Sequence, residues 1–259
     1  KTATVAMIEA PARMYDAVKA GDIVDADGNG EAASVGLVYA VTAVAPNVNN
    51  RADRRAAADA RYFLTDMFLR AVARGELDAR WDGKITARPD LAGRLDWLGV
   101  NYYARIKAQA TRLGPFNPLS GISPYLTFNL LNLQMDMTYP EGIYEVLVDM
   151  TKYGVPLYVS ETGVDQAKDP EAGARWAVQT LSWVRKAMAD GVDVRGYYAW
   201  SLMDNYEWNH GMKMRFGLYA VEPDDATKGR LPRAAVPVYG RIAQERRVPE
   251  DLVRTYGAP

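Results

Sequence analysis

Four short apolar runs, separated by long helical or turn-rich segments, constrain this chain more than any other feature. They read "SVGLVYAVTAV", "LDWLGVNYYA", "VPLYVSE" and "VRGYYAWSL", which places strands near residues 35–42, 96–102, 156–161 and 195–201. Near-continuous apolar strands suit burial on both faces, as in a parallel sheet. Pro156 and Gly163 bound the third run, and Val155, Tyr158 and Val159 within it favour a pleated surface.

The intervening segments carry helical signals. "ATVAMIEAPARMYDAVKAG" reads as a helix despite Pro11. "RADRRAAADARYFLTDMFLRAVARG" aligns Phe63, Met67 and Ala71 in one row and Leu64, Phe68 and Val72 in the next, with Gly75 ending the helix. "PEGIYEVLVDMTKYG" is opened by Pro140 and closed by Gly154. "DPEAGARWAVQTLSWVRKAMADG" has Asp169 as its N-cap, Pro170 in its first turn and Gly191 past its end. A last helix falls near "PVYGRIAQERR", and "DADGNGEAA" is a polar turn. Residues 105–140, rich in Gly, Pro, Asn and Ser, form a loop of a length that is functional or disordered in compact domains.

Strands alternating with helices make an α/β chain with a parallel sheet and right-handed crossovers. A closed (β/α)8 TIM barrel takes about 250 residues, whereas the 259 residues here supply four strands. Three of those strands finish in polar or aromatic groups: Asn101-Tyr102-Tyr103, Ser160-Glu161 and Trp200-Ser201. Functional groups at the C-terminal strand tips mark the active face of a barrel. The expected architecture is therefore half a barrel, a single domain over residues 1–259.

Composition removes several classes of function. A formal net charge of -1 provides no basic field for nucleic acid or an anionic membrane. Cysteine is absent and His210 is the one histidine, so thiolate and histidine metal sites are closed off and a Ser-His-Asp triad is disfavoured. The sequence has no signal-peptide pattern and no apolar run long enough to cross a bilayer, which makes a cytoplasmic location the expectation. Tyrosine (16) and tryptophan (6) greatly outnumber phenylalanine (5), so most rings carry a polar handle, as an aromatic-lined polar cleft requires.

Glu161 places a bare carboxylate at the tip of the third strand, where a charge costs desolvation unless it is used. Alone, it reads equally as a helix cap or arginine partner and as a nucleophile or general acid. Its company favours chemistry. In "GYYAWSLMDNYEWNHGMKMRFGLYAV" (196–221), Trp200 ends an apolar strand and Asp204, Asn205, Glu207, Trp208 and Asn209 follow within one short loop. Aromatic faces stack on the C–H faces of a pyranose while carboxylates and amides bind its hydroxyls, so the run suits a sugar cleft.

Together, "DWLGVNYYAR" (96–105), "PLYVSETG" (156–163) and "WSLMDNYEWNHGMKMRFGLYAV" (200–221) resemble the C-terminal half of glycoside hydrolase family 1, the retaining β-glycosidases. "GRLDWLGVNYYAR" and "MRFGL" are most similar to the β-glycosidases of thermophilic archaea. The resemblance runs in family order from about residue 7 and implies strands five to eight of a (β/α)8 barrel. It implies that Glu161 is the nucleophile, that Tyr103 hydrogen-bonds it, and that Asn101 is a polar group beside it. It further implies that Trp200 stacks under the nonreducing sugar, that Glu207 and Trp208 bind its outer hydroxyls, and that Phe216 lines the same pocket. Met212 to Phe216 lack the signature of the phosphosugar branch, which points to a neutral sugar such as a β-glucoside or β-galactoside. No metal or organic cofactor is implied.

Two departures stand out. Thr162 occupies the position where the family has asparagine, an exchange expected to tune the site rather than abolish it. The larger one is the acid/base, which the family carries on a "NEP" motif absent from these residues. Glu207 fits a hydroxyl-binding role better, and Asp165 lies beyond the turn after the nucleophile. The chain starts without methionine where a second half would start, so the expectation is one half of a split or cleaved enzyme. Its partner would be a complementary N-terminal half-barrel carrying the acid/base, and its substrate a β-glycoside or oligosaccharide. A non-catalytic carbohydrate-binding remnant of the same fold is the competing expectation. An unrelated parallel α/β enzyme, with Glu161 a cap and the tryptophans core, is more remote.

Overall fold

A computed structural model describes residues 1–111, 123–129 and 133–257. In chain order its elements are α1 Thr2–Gly21, β1 Gly36–Ala40, β2 Ala43–Pro46, α2 Arg51–Arg61, α3 Met67–Arg74, β3 Glu76–Leu77, β4 Thr86–Ala87, β5 Trp97–Tyr102, β6 Arg105–Ala108, β7 Gln134–Asp136, α4 Gly142–Met150, β8 Leu157–Thr162, α5 Ala172–Ala189, β9 Val194–Ala199, β10 Tyr219–Val221, β11 Arg230–Pro232, α6 Ala235–Glu245 and α7 Glu250–Tyr256.

The principal sheet has four parallel strands in the order β1-β5-β8-β9. Helices cover one face. Leu98, Val100 and Tyr102 from β5 and Leu157 and Val159 from β8 are buried against Ile143, Val146, Leu147 and Met150 of α4 and Trp176, Val184 and Ala187 of α5. Burying each large aliphatic side chain contributes about 1.5–3 kcal/mol. The opposite face is open: Val38 is 45% and Tyr198 59% exposed, and Trp97 and Tyr158 pack edge to face there at 5.3 Å. An apolar sheet face left in water is the shape of half a barrel.

A single irregularity decides which way β8 presents its carboxylate. Strict alternation from the buried Leu157 and Val159 would turn residue 161 toward the helices. Val100 pairs with Val159 but Asn101 pairs with Glu161, so Ser160 is an extra residue in β8. That bulge resets the alternation. Glu161 faces the open side, and Thr162, 1% exposed, returns to the helix side.

Beyond the strand tips, β2 continues from β1 and β6 from β5, again in parallel, and β7 adds an antiparallel strand. Ala56, Ala57 and Ala60 of α2 pack on this smaller sheet with Ala108, Leu126 and Phe128. Asn50 caps α2, accepting the Asp53 N–H at 2.8 Å. On the far side, Ile8 and Ala12 of α1 lie against Ala71 and Val72 of α3 with Leu77 and Leu91.

Several local expectations change. The helix read across residues 51–75 is split by a π-helical turn, Tyr62–Asp66. The wider turn leaves the Leu64 carbonyl to accept the Tyr39 hydroxyl at 3.0 Å. Asp169 is not the N-cap of α5, which begins after Glu171; its carboxylate accepts the Glu171 N–H instead, forming the preceding turn. The segment 105–140 contains β6 and β7 and an antiparallel bridge between Ala110 and Phe128, while 112–122 and 130–132 lie outside the described residues. The stretch between residues 202 and 233 contains the β10–β11 hairpin, and α7 follows the last helix read from sequence.

Candidate active site

The tips of β5, β8 and β9 bring the site together. Asn101 is paired with Glu161, Tyr102 with Thr162, and Thr162 with Ala199. The residues just past these pairs, Tyr103 and Trp200, therefore flank Glu161 from both neighbouring strands. The Tyr103 hydroxyl donates to Glu161 Oε2 at 2.8 Å. Burial pushes that hydroxyl well above the ordinary tyrosine range, and its bond to Glu161 and the charges of Glu161 and Glu207 push it the same way. It remains a protonated donor at any working pH.

On the other flank, Trp200 N–H donates to the Thr162 carbonyl at 2.8 Å. Its indole Nε1 donates to Glu207 Oε1 at 3.2 Å, holding that carboxylate over the loop. Phe216, 6% exposed, meets Tyr103 edge to face at 6.0 Å. Asn101 is reached through the bulge residue, since Ser160 Oγ donates to its Oδ1 at 2.7 Å. Trp208 follows Glu207 in a tight turn, Trp208–His210, and is 87% exposed. Glu161, Tyr103, Asn101 and Phe216 thus form one contact network with Trp200 and Glu207 paired beside it, while Trp208 is placed only by following Glu207 in the chain.

Gly163 is required by this geometry. A Cβ there would stand 2.1 Å from the Trp200 carbonyl oxygen and 3.3 Å from the Phe216 ring. Only a hydrogen lets the chain leaving β8 pass so close to β9.

The loop after β9 is held by groups that sequence reasoning assigned elsewhere. Asp204, read as part of the sugar-binding mixture, has a fully buried side chain paired with Arg233 at 2.8 Å and Arg215 at 3.3 Å. It also accepts the Gly217 N–H at 3.0 Å. Burial pushes its carboxyl up, but the Arg233 hydrogen bond, the Gly217 N–H and the Arg233 charge outweigh that and hold it below the usual carboxylate range. Asp165 accepts the Arg215 N–H at 2.8 Å and the Ala167 N–H at 3.0 Å, which occupies it in loop structure. Ser160, Gly163 and the Asp204–Arg215–Arg233 cluster are the functional supports that sequence reasoning missed. An extra residue in an apolar run and arginines 11 and 29 positions away leave no local signature.

Two cavities, of about 540 and 400 Å³, lie away from these residues, between α5, α6 and α7, sharing Arg185 and Val248. The candidate site lies instead at the tips of β5, β8 and β9. Among the described residues no group of three or more His, Cys, Asp or Glu side chains is arranged to hold a metal ion, and no helix is long and apolar enough to cross a membrane.

Parallel strands with helices on one face define a partial (β/α)8 barrel, and the carboxylate–tyrosine pair stands at its strand tips. Residues 2–248 match the model of glycosyl hydrolase family 1, and the chain belongs to that family. It is 34% identical to a β-galactosidase of Pyrococcus woesei, over 98% of this chain and 54% of that protein. It is 36% identical to a β-galactosidase of Sulfolobus acidocaldarius, over 95% of this chain and 48% of the other. Among solved structures, a β-glycosidase from Pyrococcus horikoshii superposes with a TM-score of 0.81 at 32% identity, covering 99% of this chain and 56% of that one. The chain therefore spans about half the length of the relatives it matches.

Proposed function

We propose that this chain is the nucleophile-bearing half of a retaining β-glycosidase that hydrolyses terminal β-linked sugars of the β-glucoside or β-galactoside type. The observation that carries this reading is Glu161, turned to the open face by the Ser160 bulge and held there by the Tyr103 hydroxyl. With Oε2 engaged by Tyr103, Oε1 attacks the anomeric carbon from the face opposite the leaving oxygen. The leaving oxygen takes a proton from an acid, giving a covalent glycosyl ester. The same acid, now a base, deprotonates a water whose attack frees Glu161 with net retention. Trp200 stacks on the sugar and Glu207 and Trp208 bind its outer hydroxyls, with Asn101 and Phe216 lining the pocket. Contacts that tighten as the ring flattens accelerate the reaction rather than merely holding substrate.

The acid/base comes from a complementary N-terminal half-barrel. Double displacement needs a second carboxylate about 5–5.5 Å from the first. The carboxylates nearest in sequence to the site loops are already committed: Glu207 to Trp200, Asp204 to two arginines, and Asp165 to backbone N–H groups. The open apolar face with Val38, Trp97, Tyr158 and Tyr198, bounded by edge strands β1 and β9, is the surface such a half would cover.

Co-expression with a complementary half of roughly two hundred residues, followed by an aryl β-glucoside and β-galactoside assay, tests the proposal. Turnover by the pair and none by the chain alone is expected. Full activity at the native mass of this chain alone overturns the two-half reading. Sugar binding without turnover by the assembled pair identifies a binding remnant instead.

A further inference from the structure

Just past the Ser160 bulge, on the side of the sheet away from Glu161, one indole holds β8. Thr162, the residue after Glu161, points into the helix-side core, where its Oγ1 accepts the Trp176 Nε1–H at 3.0 Å. Trp176 is 5% exposed. Its ring also lies parallel to Tyr102, with centroids 6.2 Å apart and planes 8° apart. Tyr102 pairs in register with Thr162 and stands between Asn101 and Tyr103 in the chain. One turn further along α5, Thr180 Oγ1 donates to the Trp176 carbonyl at 2.6 Å and shares a 2.7 Å hydrogen bond with the Tyr197 hydroxyl of β9. A single side of α5 thus grips β5, β8 and β9 directly behind the residues that carry the site.

We propose that Trp176 and Thr162 are positioning residues that set the Tyr103–Glu161 geometry from behind the sheet, by pinning β8 after its bulge and β5 beside it. The inference rests on Glu161 being the nucleophile. A buried hydrogen bond between neutral groups is directional and costly to leave half made. Losing it lets the tip of β8 rotate about the bulge, which turns the carboxylate without opening the core. Thr162 itself answers an indole in this core and faces away from the side on which Glu161 is presented.

The test is the rate of covalent labelling of the assembled enzyme by a 2-deoxy-2-fluoroglycoside, separated into binding constant and rate constant. Thr162→Val is nearly isosteric but cannot accept the bond, and Trp176→Phe keeps a ring but no donor. Each is expected to label roughly tenfold more slowly with its binding constant nearly unchanged. The double variant should be no slower than either single one, because the two side chains act as a unit. Thr162→Ser, which keeps the oxygen, should restore most of the rate. Should Thr162→Val fail to fold, Trp176→Phe and the Ser rescue still decide. Wild-type rates in both single variants, with Glu161 labelled, overturn the positioning role alone. A wild-type enzyme labelled elsewhere than Glu161 removes the nucleophile assignment and this inference with it.

Discussion

Tyr103, one residue past β5, and Glu161 of the adjacent parallel strand β8 meet through a 2.8 Å hydrogen bond on the sheet face opposite α4 and α5. The donor is a phenol whose proton burial makes hard to remove, so the pair is a fixed dipole aimed at a carboxylate. Tyr103→Phe should leave the fold intact and lower kcat of the assembled enzyme about 10- to 100-fold, since a hydrogen bond to a charged group contributes about 1.5–3 kcal/mol. Steady-state kinetics with an aryl β-glycoside checks this. An unchanged kcat would deprive the tyrosine of its role.

Gly163→Ala forces a methyl group to within 2.1 Å of the Trp200 carbonyl oxygen. Backbone must move, and overpacking of this kind costs about 1–3 kcal/mol. The displacement falls between Glu161 and Trp200, so sugar affinity should drop more than thermal stability. Inhibitor titration beside a melting curve separates the two effects.

Asp204→Ala removes the shared partner of Arg215 and Arg233 and should destabilise the chain by about 3 kcal/mol, the lower end for a broken buried pair. Both guanidiniums keep some access to water, which places the loss at that end. A urea unfolding series measures it. Because the Asp204 carboxyl titrates below its usual range, its contribution is present above the ordinary carboxylate value and is lost as pH falls below that value and through the lower native one.

Alkaline conditions should weaken the fold through tyrosine. Burial raises Tyr39 from 10.0 to about 12, and Tyr62, Tyr102 and Tyr153 are raised by burial as well. Above pH 10 the unfolded chain releases protons that these folded phenols retain, so stability falls as pH rises. Tyr39 alone accounts for about 2–3 kcal/mol by pH ~12. Stability measured by urea at stepped pH should be flat between about 8 and 9.5 and decline beyond. A curve that stays flat into strong alkali would contradict the burial of these rings.

The parallel α/β layout was legible because near-continuous apolar runs alternate with amphipathic segments, and both patterns are local. Glu161, Tyr103 and Trp200 were legible as strand-tip groups for the same reason. What decides their orientation was not. Period-two alternation would have turned Glu161 toward α4 and α5, and the extra residue shows only in the register with the neighbouring strands, where Asn101 pairs with Glu161 and Ala199 with Thr162. Asp204 misled because a carboxylate in an aromatic loop looks like a sugar ligand until Arg233, 29 residues on, is seen beside it. The π-helical turn at Tyr62–Asp66 escaped because its helical rows of apolar side chains continue through it. The smaller sheet was hidden because β2 and β6 are short extensions of β1 and β5, and β7 falls in a segment of turn-forming residues.

The most direct measurement is peptide mapping of the assembled enzyme after inactivation by a 2-deoxy-2-fluoro-β-glycoside. A stoichiometric sugar adduct on the peptide containing Glu161, absent in Glu161→Gln along with more than about 10⁴-fold of the turnover, is the predicted result. An adduct on another residue, or full turnover by Glu161→Gln, would contradict the central claim that this strand-tip carboxylate attacks the sugar.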